Sequence, residues 1–185
     1  RLTVSVWKSS VQARSARPED DGWISALLGQ PARWVHMDDE ASRPVLGAGA
    51  RPGDEVSFAD GFPMLLLAEE SLNELNGRLA APVSILRFRP NLVVRGVQAH
   101  AEDDWGSVRI GEVVFDVVSP CKRCGFTTVD PDAGELDPTG EPLRTLRGYR
   151  RTADGVMFGM NLIARGRGVV RIGDEVVACD PVPSP

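Results

Sequence analysis

The feature that most constrains the fold of this chain is a succession of short apolar runs separated by glycine- and proline-rich turns. Leu2, Val4 and Val6 alternate with polar residues, which predicts a half-buried strand, and 10–13 is its predicted partner. Similar runs recur to residue 178, whereas helical periodicity is confined to short stretches. Many short strands with few helices predict a mainly β protein of the α+β class, a β-barrel decorated by short helices.

Three short helices are predicted. One covers 23–28 and ends at Gly29, the second covers about 69–79 with leucines at spacings of three and four, and the third covers 141–147 with a proline in its first turn. Residues 38–54 lack periodicity, which predicts a long loop, and 166–168 is predicted to be a hairpin turn. The other predicted strands are 33–37, 62–67, 83–88, 92–94, 108–110, 113–118, 126–129, 156–164, 169–172 and 175–178.

The composition is that of an ordinary globular protein, with 42% hydrophobic and 25% charged residues among 185. The formal net charge of -5 argues against nucleic acid as a partner, because binding to phosphates requires an extended positive surface. No apolar run is long enough to span a membrane, and the first 20 residues do not resemble a secretory signal. Three cysteines are too few for a disulfide framework, so we predict a reducing, cytoplasmic location.

The basic residues are unevenly distributed. Nine of the 21 fall in three short windows, at 87–95, 122–123 and 144–151. If the windows converge in the fold, they would form a local cradle for the phosphate of a small ligand. The alternative is that they are ordinary solvated surface charges.

The stretch 119–132 combines two cysteines, two basic residues and two threonines between an apolar run and a turn, so we expect the functional site there, on a loop joining two strands. A Cys-x-x-Cys pair could be half of a zinc site, but Cys179, His36 and His100 offer no recognised spacing for the other ligands. A redox pair would require a helix after the first cysteine. The remaining readings are a thiolate that ligates a soft metal, favoured by Lys122 and Arg123, or an inert buried cysteine.

Several spaced motifs together resemble the MOSC domain family, named after the C-terminal part of molybdenum cofactor sulfurase. The segments that carry the resemblance are 58–67 (FADGFPMLLL), 72–76 (LNELN), 87–92 (RFRPNL), 102–105 (EDDW), 123–132 (RCGFTTVDPD) and 141–146 (EPLRTL). The resemblance covers about 56–178 and implies a MOSC β-barrel domain at 56–185. Residues 1–55 are similar to the later part of the family's β-rich N-terminal region, so we expect a chain in which that region is incomplete.

The resemblance implies that the domain binds molybdenum cofactor, with Cys124 as the catalytic residue and molybdenum ligand. It further implies that the pterin and its phosphate lie among the residues Asp60, Gly61, Phe62, Arg89, Asn91, Lys122, Arg123 and Asn161. Cys121 is then expected to be structural, and Cys179 to serve packing.

The family's amidoxime-reducing members use this centre to reduce N-hydroxylated compounds. The resemblance therefore implies a molybdenum-cofactor-dependent oxidoreductase that acts on a small-molecule substrate. Electrons would come from a separate ferredoxin- or cytochrome-like protein, or from a domain that this chain has lost, because the chain lacks a ferredoxin-like set of cysteines. Two alternatives stay open. One is a module that carries sulfur or delivers the cofactor without turning over a substrate. The other is a β-barrel without catalytic activity that serves protein contacts.

Overall fold

The computed structural model describes residues 1–47 and 49–179, which form two compact units. The first unit is Arg1–Pro63 and the second begins at Met64. The predicted domain boundary between residues 55 and 56 stays a prediction.

The first unit contains a three-stranded antiparallel sheet and one helix. Its strands are β1 (Leu2–Val6), β2 (Ser9–Ser15) and β3 (Val35–His36), in the order β1-β2-β3, and its helix is α1 (Pro18–Leu28). The first two strands pair over their whole predicted length, with Val4 opposite Val11. Helix α1 ends at Gly29, whose φ of 64° is left-handed, as the sequence predicts. It begins at Pro18, five residues before the predicted start at residue 23.

The second unit is built on a curled six-stranded sheet, a half-barrel, with the strand order β5-β4-β8-β7-β6-β9. Only β4 and β5 are parallel. The elements are β4 (Met64–Ala68), α2 (Glu69–Arg78), β5 (Leu92–Val94), β6 (Ser107–Ile110), β7 (Val113–Lys122), α3 (Leu143–Tyr149), β8 (Met157–Ala164) and β9 (Val176–Cys179). The described residues thus combine nine strands with three α-helices, which confirms the predicted α+β class.

Apolar clusters cover both faces of this sheet. Successive side chains of β4 alternate, so Leu66 and Leu67 belong to different clusters. Leu66 packs with residues of β6 and β7, including Val108 and Phe115. Leu67 packs beneath helices α2 and α3 with Leu75, Leu146, Phe88 and Phe158. The buried leucines of α2 are those whose spacing predicted the helix.

Two predicted strands are wrong and are 3₁₀ helices instead. Residues predicted as a strand at 83–88 contain the 3₁₀ helix Ile85–Phe88, whose first turn is stabilised by the Ser84 hydroxyl accepting from the Leu86 amide. The predicted strand 126–129 is the 3₁₀ helix Gly125–Thr128. There the hydroxyls of Thr127 and Thr128 donate back to the carbonyls of Cys124 and Gly125, so the segment satisfies its polar groups locally rather than in a ladder.

The predicted strand at 169–172 is also wrong, and 166–168 is not a hairpin turn. The chain instead crosses the β6–β7 turn, where the Glu112 amide donates to the Val169 carbonyl and the Glu112 carboxylate accepts from the Val169 amide. Strand β9 then pairs with β6 at the far edge of the sheet. Gly168 allows this crossing, because a Cβ there would lie 2.9 Å from side-chain atoms of Glu112 and Val113.

Within 1–47 and 49–179, every helix is too short or too polar to cross a membrane.

Candidate functional site

The two neighbouring cysteines occupy different environments. Strand β7 continues to Lys122, so Cys121 lies within the strand and not on a loop between two strands, contrary to the prediction. Cys121 is half-buried, whereas Cys124 is exposed and immediately precedes the Gly125–Thr128 3₁₀ helix. Cys124 also anchors that helix through its carbonyl, which accepts from the amide and the hydroxyl of Thr127. The thiol of Cys124 is therefore accessible on a well-fixed backbone.

The Arg123 side chain makes its hydrogen bonds to other residues of the second unit. Its guanidinium donates to the Phe88 carbonyl at 2.8 Å and to Cys121 Sγ at 3.0 Å, and it lies 5.3 Å from the centre of the Phe88 ring. Its backbone amide donates to the Val156 carbonyl at 2.7 Å. These contacts tie the end of β7 to the Ile85–Phe88 helix. Arg123 and Cys121 thus stabilise the backbone on which Cys124 sits.

Arg87 fixes the C-terminal end of the 3₁₀ helix that follows Cys124. Its side chain is only 9% exposed, and its guanidinium donates to the Thr128 carbonyl and to Asp130 Oδ2, at 2.9 and 3.0 Å. Backbone amides of Ala133 and Asp132, together with Arg87, hold the pKa of Asp130 below its ordinary value. The ionised Asp130 therefore locks both the turn that follows the 3₁₀ helix and the arginine.

Two cations beside Cys124 remain exposed. Arg89 has a left-handed backbone, with φ of 55°, and its guanidinium lies 5.6 Å from the centre of the exposed Phe126 ring. Lys122 ends β7, and its aliphatic chain lies over Gly155, where a Cβ would come within 2.7 Å of Lys122 Cε. Exposed positive charges therefore lie at Lys122, two residues before Cys124 in the chain, and at Arg89, which contacts the ring two residues after it.

The basic windows consequently separate into structural and exposed residues. Arg150 belongs to the first kind, since it pairs with Asp103 at 2.5 Å and donates to the Met157 carbonyl. Arg144 pairs with Glu141 one helical turn away, at 2.7 Å. The interpretation of all nine residues as a single phosphate cradle is therefore too broad, because several guanidiniums have internal partners.

Two asparagines lie in one row across the sheet. Asn91 lies just before β5. Its side-chain oxygen accepts a hydrogen bond from the Leu65 backbone amide, and its backbone amide donates to the Leu65 carbonyl, both at 2.8 Å. On the other side of Leu65, Asn161 of β8 pairs with that residue and donates to Ser119 Oγ at 3.2 Å. The side chains of Asn91 and Asn161 thus already hold neighbouring strands together.

The remaining predicted residues, Asp60, Gly61 and Phe62, belong to the first unit. They follow an irregular segment and line a cavity of about 480 Å³ within that unit. Its apolar wall includes Trp7 and Leu46, and its polar residues include Lys8, Ser9 and Arg43. A cavity of this size could accommodate a ring-sized ligand. The Phe62 ring packs against Gly47, where a Cβ would come within 2.2 Å of the ring.

The predicted residues therefore fall into two groups. Lys122, Arg123 and Cys124 are consecutive in the second unit, and Arg89 contacts the nearby Phe126 ring. Asn91 and Asn161 lie on either side of Leu65 in β4. Asp60–Phe62 form part of the cavity of the first unit. The sequence analysis did not single out Arg43, which is one of two arginines, with Arg51, in the irregular segment 38–54.

The described residues contain no group of three or more histidine, cysteine, aspartate or glutamate side chains placed to hold a metal ion. Structural zinc therefore lacks a ligand set there, since it requires four ligands. A metal that takes one soft sulfur from the protein and its other ligands from a cofactor fits the exposed Cys124 better. The nearby cations Arg89 and Lys122 suit the phosphate of such a cofactor.

Comparison with known families identifies a match to the MOSC domain over residues 53–177. Human mitochondrial amidoxime-reducing component 1 is 36% identical over 178 residues, covering 90% of this chain and 52% of that protein. Molybdenum cofactor sulfurase from Solanum lycopersicum is 31% identical over 189 residues, covering 90% of this chain and 23% of that protein. The chain thus spans about half the length of the amidoxime-reducing relatives and less of the sulfurases.

Among solved structures, the crystal structure of YiiM from Geobacillus stearothermophilus is similar, with 14% identity and a TM-score of 0.48. The similarity covers 92% of this chain and 72% of that one.

Proposed function

This chain belongs to the MOSC domain family, and we propose that it binds molybdenum cofactor through the sulfur of Cys124 and reduces N-hydroxylated compounds. The observation that carries the proposal is the contrast between the cysteines. Cys124 is exposed, whereas Cys121 is half-buried and accepts a hydrogen bond from Arg123. The similarity to amidoxime-reducing components and molybdenum cofactor sulfurases supports a molybdenum-related role.

Each residue has a proposed part. Cys124 would supply the single protein ligand, and Arg89 and Lys122 would contact the phosphate. Arg123 and Cys121 would hold the ligand loop in place through the contact between them and the bond from Arg123 to Phe88. Asn91 and Asn161 would fix the strands beside the cofactor. The pterin contact of Asp60–Phe62, which belong to the first unit, is assigned by the family resemblance alone.

The bound cofactor would supply the redox chemistry. Reduction of an N-hydroxyl group consumes two electrons and two protons and releases water. The described residues offer no cysteine cluster for an iron–sulfur centre, so the electrons would come from a separate ferredoxin- or cytochrome-like protein. A cytoplasmic location stays a prediction.

The first test is metal analysis of the purified chain by mass spectrometry for molybdenum, tungsten and zinc. We expect near-stoichiometric molybdenum in the wild type and loss of most of it in Cys124→Ala, because the protein's only bond to the metal is removed. Cys179→Ala is the matched control, since Cys179 is also exposed but lies on β9. Molybdenum retained in Cys124→Ala, or zinc in its place, would contradict the proposal.

The phosphate contact has its own test. Arg89→Ala should weaken cofactor retention at least about tenfold, well beyond the effect of losing an ordinary surface charge. Arg95→Ala is the control, because Arg95 is exposed and belongs to the same basic window. Retention is measured as molybdenum per chain after dialysis. Equal loss in the two variants would mean that Arg89 contributes only general charge.

A second candidate function is a sulfur-carrier or cofactor-delivery module. The exposed Cys124 and the similarity to molybdenum cofactor sulfurases favour it. A carrier would hold sulfur on Cys124 that cyanide releases as thiocyanate, and would show no turnover of N-hydroxylated compounds. Thiocyanate release from the wild type, absent in Cys124→Ala and unchanged in Cys179→Ala, would favour this function over the reductase.

A further inference from the structure

Arg43 is a buried cation with an unusual set of partners. Only 4% of the residue is exposed, although arginine is rarely buried without a carboxylate. Its guanidinium instead donates to three backbone carbonyls, those of Ser57, Ala59 and Asp60, at 2.7, 2.6 and 2.7 Å. Burying a charge against neutral dipoles alone is costly, so the contacts must be well formed for the arrangement to persist.

The three carbonyls belong to a segment that has no regular secondary structure. Residues 57–63 lie between an isolated bridge at Glu55 and the start of β4, and they form neither helix nor strand. Buried or constrained backbone carbonyls need hydrogen-bond donors. Arg43 supplies, from one planar group, the donors that a neighbouring strand would supply elsewhere.

Arg43 is itself held firmly. The Val56 amide donates to the Arg43 carbonyl at 2.9 Å, and the next residue, Pro44, forms a bridge with Glu55. The Val45 amide donates to the Asp54 carbonyl, which closes the base of the loop between them. The guanidinium therefore projects from a fixed base onto the segment that it binds.

The segment leads directly to the cavity of the first unit. Asp60, which accepts from Arg43 through its carbonyl, lines the cavity together with Gly61, Phe62 and Arg43 itself. We infer that Arg43 is a positioning residue that holds segment 57–62 in the conformation presenting Asp60, Gly61 and Phe62 to a ligand. The functional part of this inference rests on the proposed cofactor binding.

The test uses the full chain and two variants, Arg43→Ala and Arg43→Lys. Lysine keeps the charge but cannot span three carbonyls with a planar fork. Both variants should therefore loosen the segment, whereas a residue that acted only by charge would tolerate lysine. Arg14→Ala is the matched control, because Arg14 is an exposed arginine of the same unit.

Loosening is measured by chymotrypsin cleavage of the Phe58–Ala59 bond, identified by mass spectrometry. Phe58 is partly exposed, but the peptide bond between Phe58 and Ala59 lies between the Ser57 and Ala59 carbonyls, which both accept from Arg43. We expect cleavage at this bond to be at least about tenfold faster in both Arg43 variants and unchanged in Arg14→Ala. Methylguanidinium, which fits the space left in Arg43→Ala, should slow the cleavage again.

Cofactor retention is then measured in the same variants and should fall several-fold with the two substitutions. Cleavage rates are compared in cofactor-free protein, so a wild type that binds no molybdenum would count against the proposed function and leave the cleavage result decisive for Arg43. Unchanged cleavage in both variants would overturn the inference. So would global unfolding of both variants, seen by circular dichroism, because Arg43 would then hold the whole unit rather than one segment.

Discussion

Cys124→Ala is expected to lower the rate of reduction of an N-hydroxylated amidine by at least about 100-fold, more than loss of a residue that only orients a metal ligand. The physical reason is that alanine removes the sole sulfur proposed to bind the metal while leaving the fold intact. Cys124 is exposed, and its structural contacts are made by its carbonyl rather than its thiol.

The measurement is steady-state turnover with an artificial electron donor, which removes the dependence on a partner protein. Cys179→Ala is expected to keep wild-type turnover. Cys121→Ala should show a smaller loss, because the Arg123 guanidinium would lose its contact with sulfur but keep its bond to Phe88. Wild-type turnover in Cys124→Ala would exclude the reductase mechanism proposed for this residue.

Gly159→Ala should destabilise the chain by about 2–4 kcal/mol, the sum of a strained left-handed backbone and a steric clash. Gly159 has a φ of 77° within β8, and a Cβ there would lie 2.8 Å from the Leu66 carbonyl of the neighbouring strand. That carbonyl is backbone and cannot rotate away. The change in free energy of unfolding is measured by urea denaturation.

Gly148→Ala is the control for this prediction. Gly148 lies in α3, and nothing stands within 4 Å of the position that its Cβ would occupy. Alanine there should be neutral or should stabilise by about 0.5–1 kcal/mol, because it favours the helix over the unfolded chain. Equal effects at Gly159 and Gly148 would show that the β8 irregularity tolerates a side chain.

Gly159 matters because it changes which face of the sheet its neighbours occupy. Phe158 and Leu162 are four residues apart and would share a face in a regular strand. In this fold Phe158 packs with the helix-covered cluster and Leu162 with the opposite one. The pairing of β7 with β8 is irregular here, with Lys122 opposite Met157 and Pro120 opposite Met160, so β8 carries one extra residue.

Local patterns predicted the elements whose stability is local. The β1–β2 pair, the end of α1 at Gly29 and the leucine face of α2 all depend on neighbours within a few residues, and all three are confirmed. The two strands that proved to be 3₁₀ helices failed for a related reason. Serine and threonine hydroxyls satisfied the backbone at short range, and apolar content alone does not reveal that competition.

The sequence by itself determined the α+β class, most strands and the motifs on which the family assignment rests, because side-chain alternation and helical spacing are properties of consecutive residues. Only the tertiary structure decided which cations stay exposed. Arg87 and Arg123 bind carbonyls 41 and 35 residues away, and Arg43 holds a segment that begins 14 residues later. Such contacts form only because the fold brings residues distant in sequence close together, and patterns among consecutive residues do not predict which distant residues will meet.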